Sequence, residues 1–228
     1  MSAVTVLLLA LLLPQPTAAP GDPLSDPDAA LWSEPAPDES LIAVETSKGR
    51  FVIALHRGWA PIGADRFHAL VRAGYYDDSR FFRVRAGELV QFGIAGDPEV
   101  ARLWRERTIP DDPVLASNRR GTVAFAMTGP DTRSTQVFVN LSDNRELDAQ
   151  GFAVIGEVVE GMEVLDALHA GYAETAGGGM RAGRQDPLFA RGNRHLDERF
   201  PQLDRLLSAA VIEESPEEEP AGEVGGER

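Results

Sequence analysis

The feature that most constrains the fold of this 228-residue chain is a succession of short apolar runs separated by glycine turns. Runs of about four to eight residues that are rich in Val, Ile and Phe are typical of β-strands. The first two runs, residues 41–46 and 50–55, flank a Ser-Lys-Gly turn and predict a hairpin. Further strand-like runs lie at residues 80–93, where a glycine turn divides two short strands, and at 121–127, 136–141 and 151–159.

Two helices are predicted among these strands. The first begins at Pro61, since a missing N–H is harmless at a helix start, and ends at Gly74, a typical stop. The second covers residues 161–169, where Met162 and Leu165 recur at helical spacing. Many short strands with a helix near each end predict a mainly β fold, a closed barrel capped by helices, because closure removes exposed sheet edges.

The ends of the chain differ in composition from its middle. Residues 1–19 contain an apolar run followed by small residues, which predicts a signal peptide and export to the periplasm or the medium. The alternative is a buried N-terminal strand or helix, and a cytoplasmic protein if no signal is used. Residues 20–40 predict a proline-rich, acidic linker ahead of a folded domain at 41–176. Residues 177–212 are expected to form a C-terminal extension, either one amphipathic helix or irregular packing, and 213–228 a disordered acidic tail.

Composition excludes several kinds of chemistry. The chain has no cysteine and four scattered histidines, so we expect no disulfide, no thiol nucleophile and no metal site. The net charge of -14 disfavours a nucleic-acid partner, because phosphate backbones attract basic surfaces. The N-terminal apolar run is too short to span a bilayer, so stable membrane insertion is not expected. The sequence also lacks the Gly-x-Ser-x-Gly, His-Glu-x-x-His and phosphate-loop signatures.

Polar side chains near the glycine turns form the candidate site. Strand alternation predicts that Leu89 and Gln91 share one face, and that Gln136 and Phe138 share one face of another strand. With Arg83, these side chains predict a shallow apolar pocket rimmed by amide and guanidinium donors. Because that set includes no nucleophile or general base, it suits peptide binding, or catalysis by shape and electrostatics.

Taken in order, the segments around these residues resemble the cyclophilin family of peptidyl-prolyl cis–trans isomerases. The likeness extends from about residue 41 to residue 168, and the Phe-Gly pair at 92–93 is closer to a bacterial branch. The segments that carry it are Thr46-x-x-Gly49-x-Phe51, Gly74-Tyr75-Tyr76-Asp77, Phe81-Phe82-Arg83-Val84 with Gly87, Gln91 and Gly93, Gly129-Pro130-Asp131-Thr132, Thr135-Gln136-Val137-Phe138, Leu147-Asp148 and Ile155-Gly156-Glu157-Val158.

The resemblance implies an eight-stranded antiparallel barrel capped by two helices. It also implies an isomerase that rotates Xaa–Pro bonds without a cofactor to assist folding. The implied partners are proline-containing peptides and unfolded proteins, and the implied state is a monomer. By position, Arg83 is the implied catalytic residue and Gln91 positions it. The implied substrate-binding residues are Leu89, Ala126, Met127, Gln136, Phe138, Leu147 and Phe152.

One implied substrate-binding position departs from the family pattern. Glu88 stands where the family has a pocket phenylalanine. Its carboxylate either turns outward or pairs with Arg85 or Arg83, and an ion pair at Arg83 would compete with the prolyl nitrogen and weaken catalysis. The alternative function is therefore a catalytically weak, cyclophilin-like module that binds peptides or acts as a chaperone.

Overall fold

One antiparallel sheet organises the protein, whose computed structural model describes residues 21–178 and 184–212. In these residues the sheet has nine strands: β1 Glu39–Thr46, β2 Gly49–His56, β3 Ser79–Arg80, β4 Arg83–Arg85, β5 Leu89–Phe92, β6 Thr122–Phe125, β7 Val137–Asn140, β8 Val154–Glu160 and β9 Arg205–Ile212. Their order across the sheet is β3-β9-β1-β2-β8-β6-β7-β5-β4. The predicted mainly β antiparallel architecture is confirmed, with nine strands in place of eight.

The sheet curls into a barrel because its two edge strands are joined by a very short connection. β3 and β4 stand at opposite ends of the strand order, yet only Phe81 and Phe82 separate them in sequence. Two linking residues reach only about 10 Å, so the edges must approach each other. Within the predicted run at residues 80–93, β4 begins at Arg83, and both phenylalanines are buried in the barrel core.

Five α-helices accompany the sheet in the described residues: α1 Pro61–Arg72, α2 Pro98–Arg105, α3 Met162–Asp166, α4 Asp186–Arg191 and α5 Asn193–Arg199. α1 and α3 lie where the sequence places the two capping helices. α2 was not predicted, although its signals are present. Asp97 caps its N-terminus by accepting from the Glu99 N–H, Pro98 starts it, and arginines fill its last turn.

Strand alternation separates the barrel core from a smaller apolar cluster on its outer face. On β5, Val90 and Phe92 point into the main core, whereas Leu89 joins the outer cluster. On β7, Phe138 is likewise the outward residue between two core valines. The barrel wall therefore carries two apolar layers, and the outer layer is the one that a ligand can reach. The outer cluster comprises Leu89, Ala124, Ala126 and Phe138, with Leu147 and Phe152 packed against it.

A buried ion pair fixes the start of α1. Asp112 accepts hydrogen bonds from the Ile62 and Gly63 N–H groups at 3.0 and 2.8 Å, which are free donors at a helix N-terminus. Asp112 Oδ2 also accepts a hydrogen bond from Arg133 Nη1 at 3.0 Å, and the side chains of Asp112 and Arg133 are both 1% exposed. Gly63 must be a glycine, because a Cβ there would lie 2.8 Å from Ile155 and 3.1 Å from Arg133 Nη1.

The segments on either side of the predicted domain pack on it. Before it, Trp32 lies with its ring 4.2 Å from that of Trp104, whose Nε1 donates to the Leu24 carbonyl at 2.9 Å. After it, β9 pairs with both β1 and β3, so the leucines at 206 and 207 lie in a strand rather than in one amphipathic helix. The predicted signal peptide (1–19) and acidic tail (213–228) lie outside the described residues. Within the described ranges, no helix combines the length and apolar character needed to cross a bilayer.

Candidate active site

The strand register places the two polar candidate residues and the pocket phenylalanine in one row. Arg83 on β4 stands opposite Gln91 on β5, and Gln91 stands opposite Phe138 on β7. Directly opposed residues on neighbouring strands hold their Cβ atoms about 5 Å apart, so this row forms a continuous strip of surface. The strip lies on the outer face of the barrel. The sequence predicts which residues of a strand share a face, but not the side of the barrel on which that face lies.

A cavity of about 340 Å³ opens beside this strip. Its apolar wall is the outer cluster, in which Phe138 and Phe152 meet edge to face with ring centroids 5.6 Å apart. An apolar cavity of this size suits a small ring such as that of proline, with polar groups at its edge to orient a peptide. The cavity is lined by Arg83, Arg85, Glu88, Leu89, Gln91, Ala126, Met127, Phe138, Leu147 and Phe152.

A relay of amide side chains supports the guanidinium of Arg83 from behind. Arg83 Nη1 donates to Gln91 Oε1 at 3.0 Å, and Gln91 Nε2 donates to Gln136 Oε1 at 2.9 Å. Gln136 Nε2 in turn donates to Gln185 Oε1 at 2.9 Å, and Gln185 Nε2 donates to the Gly177 carbonyl at 3.0 Å. The three glutamines are buried, so each hydrogen bond restricts the position of the next side chain.

Arg83 also has an acidic partner, and it is not Glu88. Glu174 Oε1 accepts hydrogen bonds from Arg83 Nη2 at 2.5 Å and from Arg83 Nε at 3.2 Å. The same oxygen lies 3.5 Å from Arg85 Nη1. The hydrogen bonds from Arg83 lower the pKa of the Glu174 carboxyl below its ordinary value. Glu88 pairs instead with Arg85 at the rim of the cavity. The sequence left three alternatives open for the Glu88 carboxylate: turning outward, pairing with Arg85 or pairing with Arg83. The structure has the pair with Arg85.

Asp148 anchors the wall that carries Leu147. Its carboxylate accepts from Ser117 Oγ at 2.5 Å and from the Asn118 backbone and side chain, both at 2.8 Å. Burial alone would raise the pKa of Asp148, but these hydrogen bonds outweigh burial and lower it. The sequence showed Asp148 only as part of a motif, and its anchoring role depends on a contact 30 residues away.

Nearly all of the predicted site residues meet at one place. Arg83, Glu88, Gln91 and the predicted apolar residues line the cavity, whereas Gln136 lies just behind it in the amide relay. Sequence reasoning missed Glu174 and Gln185, which come from the segment around and beyond the predicted domain boundary. Among the described residues, no three His, Asp or Glu side chains cluster as a metal ion requires.

The fold and the cavity together define a class of protein: an antiparallel β-barrel with an apolar cavity on its outer face, edged by a guanidinium that amide side chains hold in place. The family model described as "Cyclophilin type peptidyl-prolyl cis-trans isomerase/CLD" matches residues 41–185. The chain belongs to the cyclophilin-type peptidyl-prolyl cis–trans isomerase family.

Bacterial relatives agree with this assignment, and solved structures share the fold. A peptidyl-prolyl cis-trans isomerase of Acinetobacter baylyi is 33% identical over 138 residues, which cover 57% of this chain and 71% of the relative. Peptidyl-prolyl cis-trans isomerase A of Dickeya dadantii is 32% identical over 141 residues, covering 60% and 74%. A crystal structure of a Cryptosporidium parvum cyclophilin superposes with a TM-score of 0.57 at 18% identity, covering 78% of this chain and 99% of that one. The same cyclophilin, in the presence of the dipeptide Ala-Pro, gives a TM-score of 0.55.

Proposed function

We propose that the cavity beside Arg83 is the active site of a peptidyl-prolyl cis–trans isomerase that assists protein folding. The observation that carries this proposal is the position of the guanidinium, which lines the same apolar cavity as Phe138 and is held there by Gln91. A relative of the same family has been crystallised in the presence of Ala-Pro, which supports a proline-containing peptide as the substrate.

The residues of this cavity supply every group that the reaction needs. Rotation about an Xaa–Pro bond crosses a barrier of about 18–20 kcal/mol because amide resonance is lost. In the twisted state the prolyl nitrogen regains a lone pair, which a nearby guanidinium N–H stabilises more than it stabilises the planar amide. The cavity holds the proline ring while the rest of the peptide turns. A thousandfold acceleration requires about 4 kcal/mol of such differential stabilisation, so neither a cofactor nor a proton transfer is needed.

A second candidate function is supported by the acidic partner of Arg83. Because Glu174 bonds two nitrogens of the guanidinium, the same cavity could bind proline-containing peptides and catalyse their rotation only weakly. Such a protein would act as a peptide-binding or chaperone module.

A protease-coupled assay with a proline-containing peptide separates the two functions. For the enzyme, Arg83→Ala lowers kcat/KM by about 10²- to 10³-fold, the range expected when a preorganised transition-state donor is removed. The matched control is Arg50→Ala, which removes an exposed arginine from β2. For the module, calorimetry detects peptide binding to the wild type, but turnover stays close to the uncatalysed rate and Arg83→Ala changes it little.

We further propose that the protein acts on unfolded chains outside the cytoplasm, as a monomer. The N-terminal apolar run and the small residues after it support export. Only four large apolar side chains of the described residues are exposed, Ile62, Leu115, Val159 and Leu207, and this small number supports a monomer. Cell fractionation with N-terminal sequencing tests export, and sedimentation tests the monomer; a cytoplasmic full-length protein or a stable dimer would contradict them.

A further inference from the structure

Glu174, the acidic partner of Arg83, lies in a loop that packs on the rest of the protein on both sides of this residue. Before it, the Tyr172 ring packs edge to face on Phe200, with centroids 5.2 Å apart. After it, Ala176 is buried, and Gly177 lies so close to Phe82 that a Cβ would meet that ring at 2.8 Å. The loop is therefore fixed at its ends, and the position of the carboxylate between them is set by the fold.

The backbone next to Glu174 adopts a conformation that is uncommon in unconstrained loops. Ala173 has a φ of 46°, in the left-handed region where non-glycine residues are uncommon. Gly178 donates its N–H to the Glu174 carbonyl at 2.8 Å, and a Cβ on Gly178 would lie 2.3 Å from the Glu174 Cβ. Strained backbone of this kind clusters at functional sites, where the surrounding structure enforces it.

The carboxylate meets the one guanidinium on which the proposed chemistry depends. Arg83 and Arg85 project from the same face of β4, and Glu174 Oε1 lies within 3.5 Å of both. The Arg83 side chain is 19% exposed and that of Glu174 38%, so water screens this ion pair in part but less than a pair of fully exposed side chains. A negative charge on this edge of the guanidinium reduces the positive potential that a prolyl nitrogen on the cavity side experiences.

We propose that Glu174 is a positioning residue that restrains catalysis, because its carboxylate engages the Nε and Nη2 edge of Arg83 and weakens the stabilisation of a twisted prolyl bond. This inference rests on the proposed function of the same cavity and adds a regulating residue to it. A carboxylate a few ångströms behind the guanidinium cancels a large part of its field at the prolyl nitrogen. At the effective dielectric of a protein surface this corresponds to about a three- to tenfold lower rate.

Glu174→Gln tests the proposal by removing the charge while keeping the shape and one acceptor oxygen. We expect kcat to rise about three- to tenfold, with KM within about twofold of wild type, because the lost charge acts on the twisted state rather than on peptide binding. The control is Glu163→Gln on α3, an exposed glutamate of the same charge on a helix that packs on β2, where no change is expected.

A spectroscopic readout keeps the test independent of turnover. The Arg83 Nε–H resonance of the free protein should move in Glu174→Gln and stay in place in Glu163→Gln, because only the first change removes its carboxylate acceptor. Equal or lower kcat in a folded Glu174→Gln protein, or an Arg83 resonance that does not move, would overturn the inference and leave the proposed function standing. Absence of turnover in wild type and both variants would instead overturn the proposed function itself.

Discussion

The substitution Asp112→Asn should lower the free energy of unfolding, because it breaks the buried ion pair of Asp112 with Arg133 that fixes the start of α1. Asparagine keeps the size of the side chain, but only one of its two polar atoms accepts. Depending on which oxygen it replaces, the amide NH₂ faces either the Ile62 N–H or both the Gly63 N–H and Arg133 Nη1, and each of these groups is a donor. The substitution also leaves the Arg133 charge, 1% exposed, with only Asp111 Oδ1 at 3.3 Å as a carboxylate neighbour.

The magnitude follows from this geometry. Charge centres about 4 Å apart at an effective dielectric near 20 interact by about 4 kcal/mol. Breaking a buried pair by removing one partner typically costs about 3–5 kcal/mol. The remaining contact with Asp111 offsets part of the loss, so we expect the free energy of unfolding to fall by about 3 kcal/mol. That is a large fraction of the total of about 5–15 kcal/mol for a typical domain.

Urea unfolding measures this loss. With an m-value of about 2 kcal/mol/M, the midpoint should fall by about 1.5 M at unchanged m. Glu45→Gln, which breaks an exposed pair with Arg50, is the control and should shift the midpoint by less than about 0.3 M. Adding Arg133→Met to Asp112→Asn should restore part of the stability, because it removes the uncompensated charge. A loss below about 1 kcal/mol for Asp112→Asn would refute the reasoning.

Three further predictions follow from the fold and the site. Gln185→Leu leaves Gln136 Nε2 without its acceptor in a buried relay, so kcat/KM in the peptide assay should fall about tenfold while peptide affinity changes little; unchanged kinetics would show that the relay does not position Arg83. A chain ended at Asp204 lacks β9, which leaves one edge of β1 exposed and β3 without its strand partner, so circular dichroism and sedimentation should show an unfolded or aggregated protein. The pKa of Asp148 is lower in the folded protein than in the unfolded chain, where it is about 4. The stability that this carboxylate contributes is therefore present above the unfolded pKa and is lost as the pH falls through the folded pKa. Asp148→Asn should therefore lower stability at neutral pH and flatten its decline in acid; parallel urea-midpoint curves for the two proteins would contradict this.

The sequence predicts the site well because the cavity is built by strand alternation. Leu89, Gln91 and Phe138 share an outer face through a period of two, which a local pattern reveals. Glu174 could not be found in this way, since it lies 91 residues from Arg83 in a loop without periodicity. Its contact depends on the tertiary path of the chain after α3.

The C-terminal region was harder to predict for a related reason. β9 has no regular alternation of buried and exposed residues, and it is held by backbone pairing with two neighbours. One usable signal was present: Pro201 disfavours helical backbone at Phe200, which makes a single helix through the later leucines unfavourable. The end of α5 at Arg199 agrees with that limit.

The place of β9 in the sheet has a consequence for how the protein is made. Its first residue lies 159 positions after the last residue of β1, its neighbour in the barrel. At translation rates of about 5–20 residues per second, the ribosome needs roughly 8–30 s to cover that distance. Throughout that interval one edge of β1 has no partner and can pair with the wrong chain. A protein that we propose to assist the folding of other chains is thus itself open to wrong strand pairing while it is being synthesised.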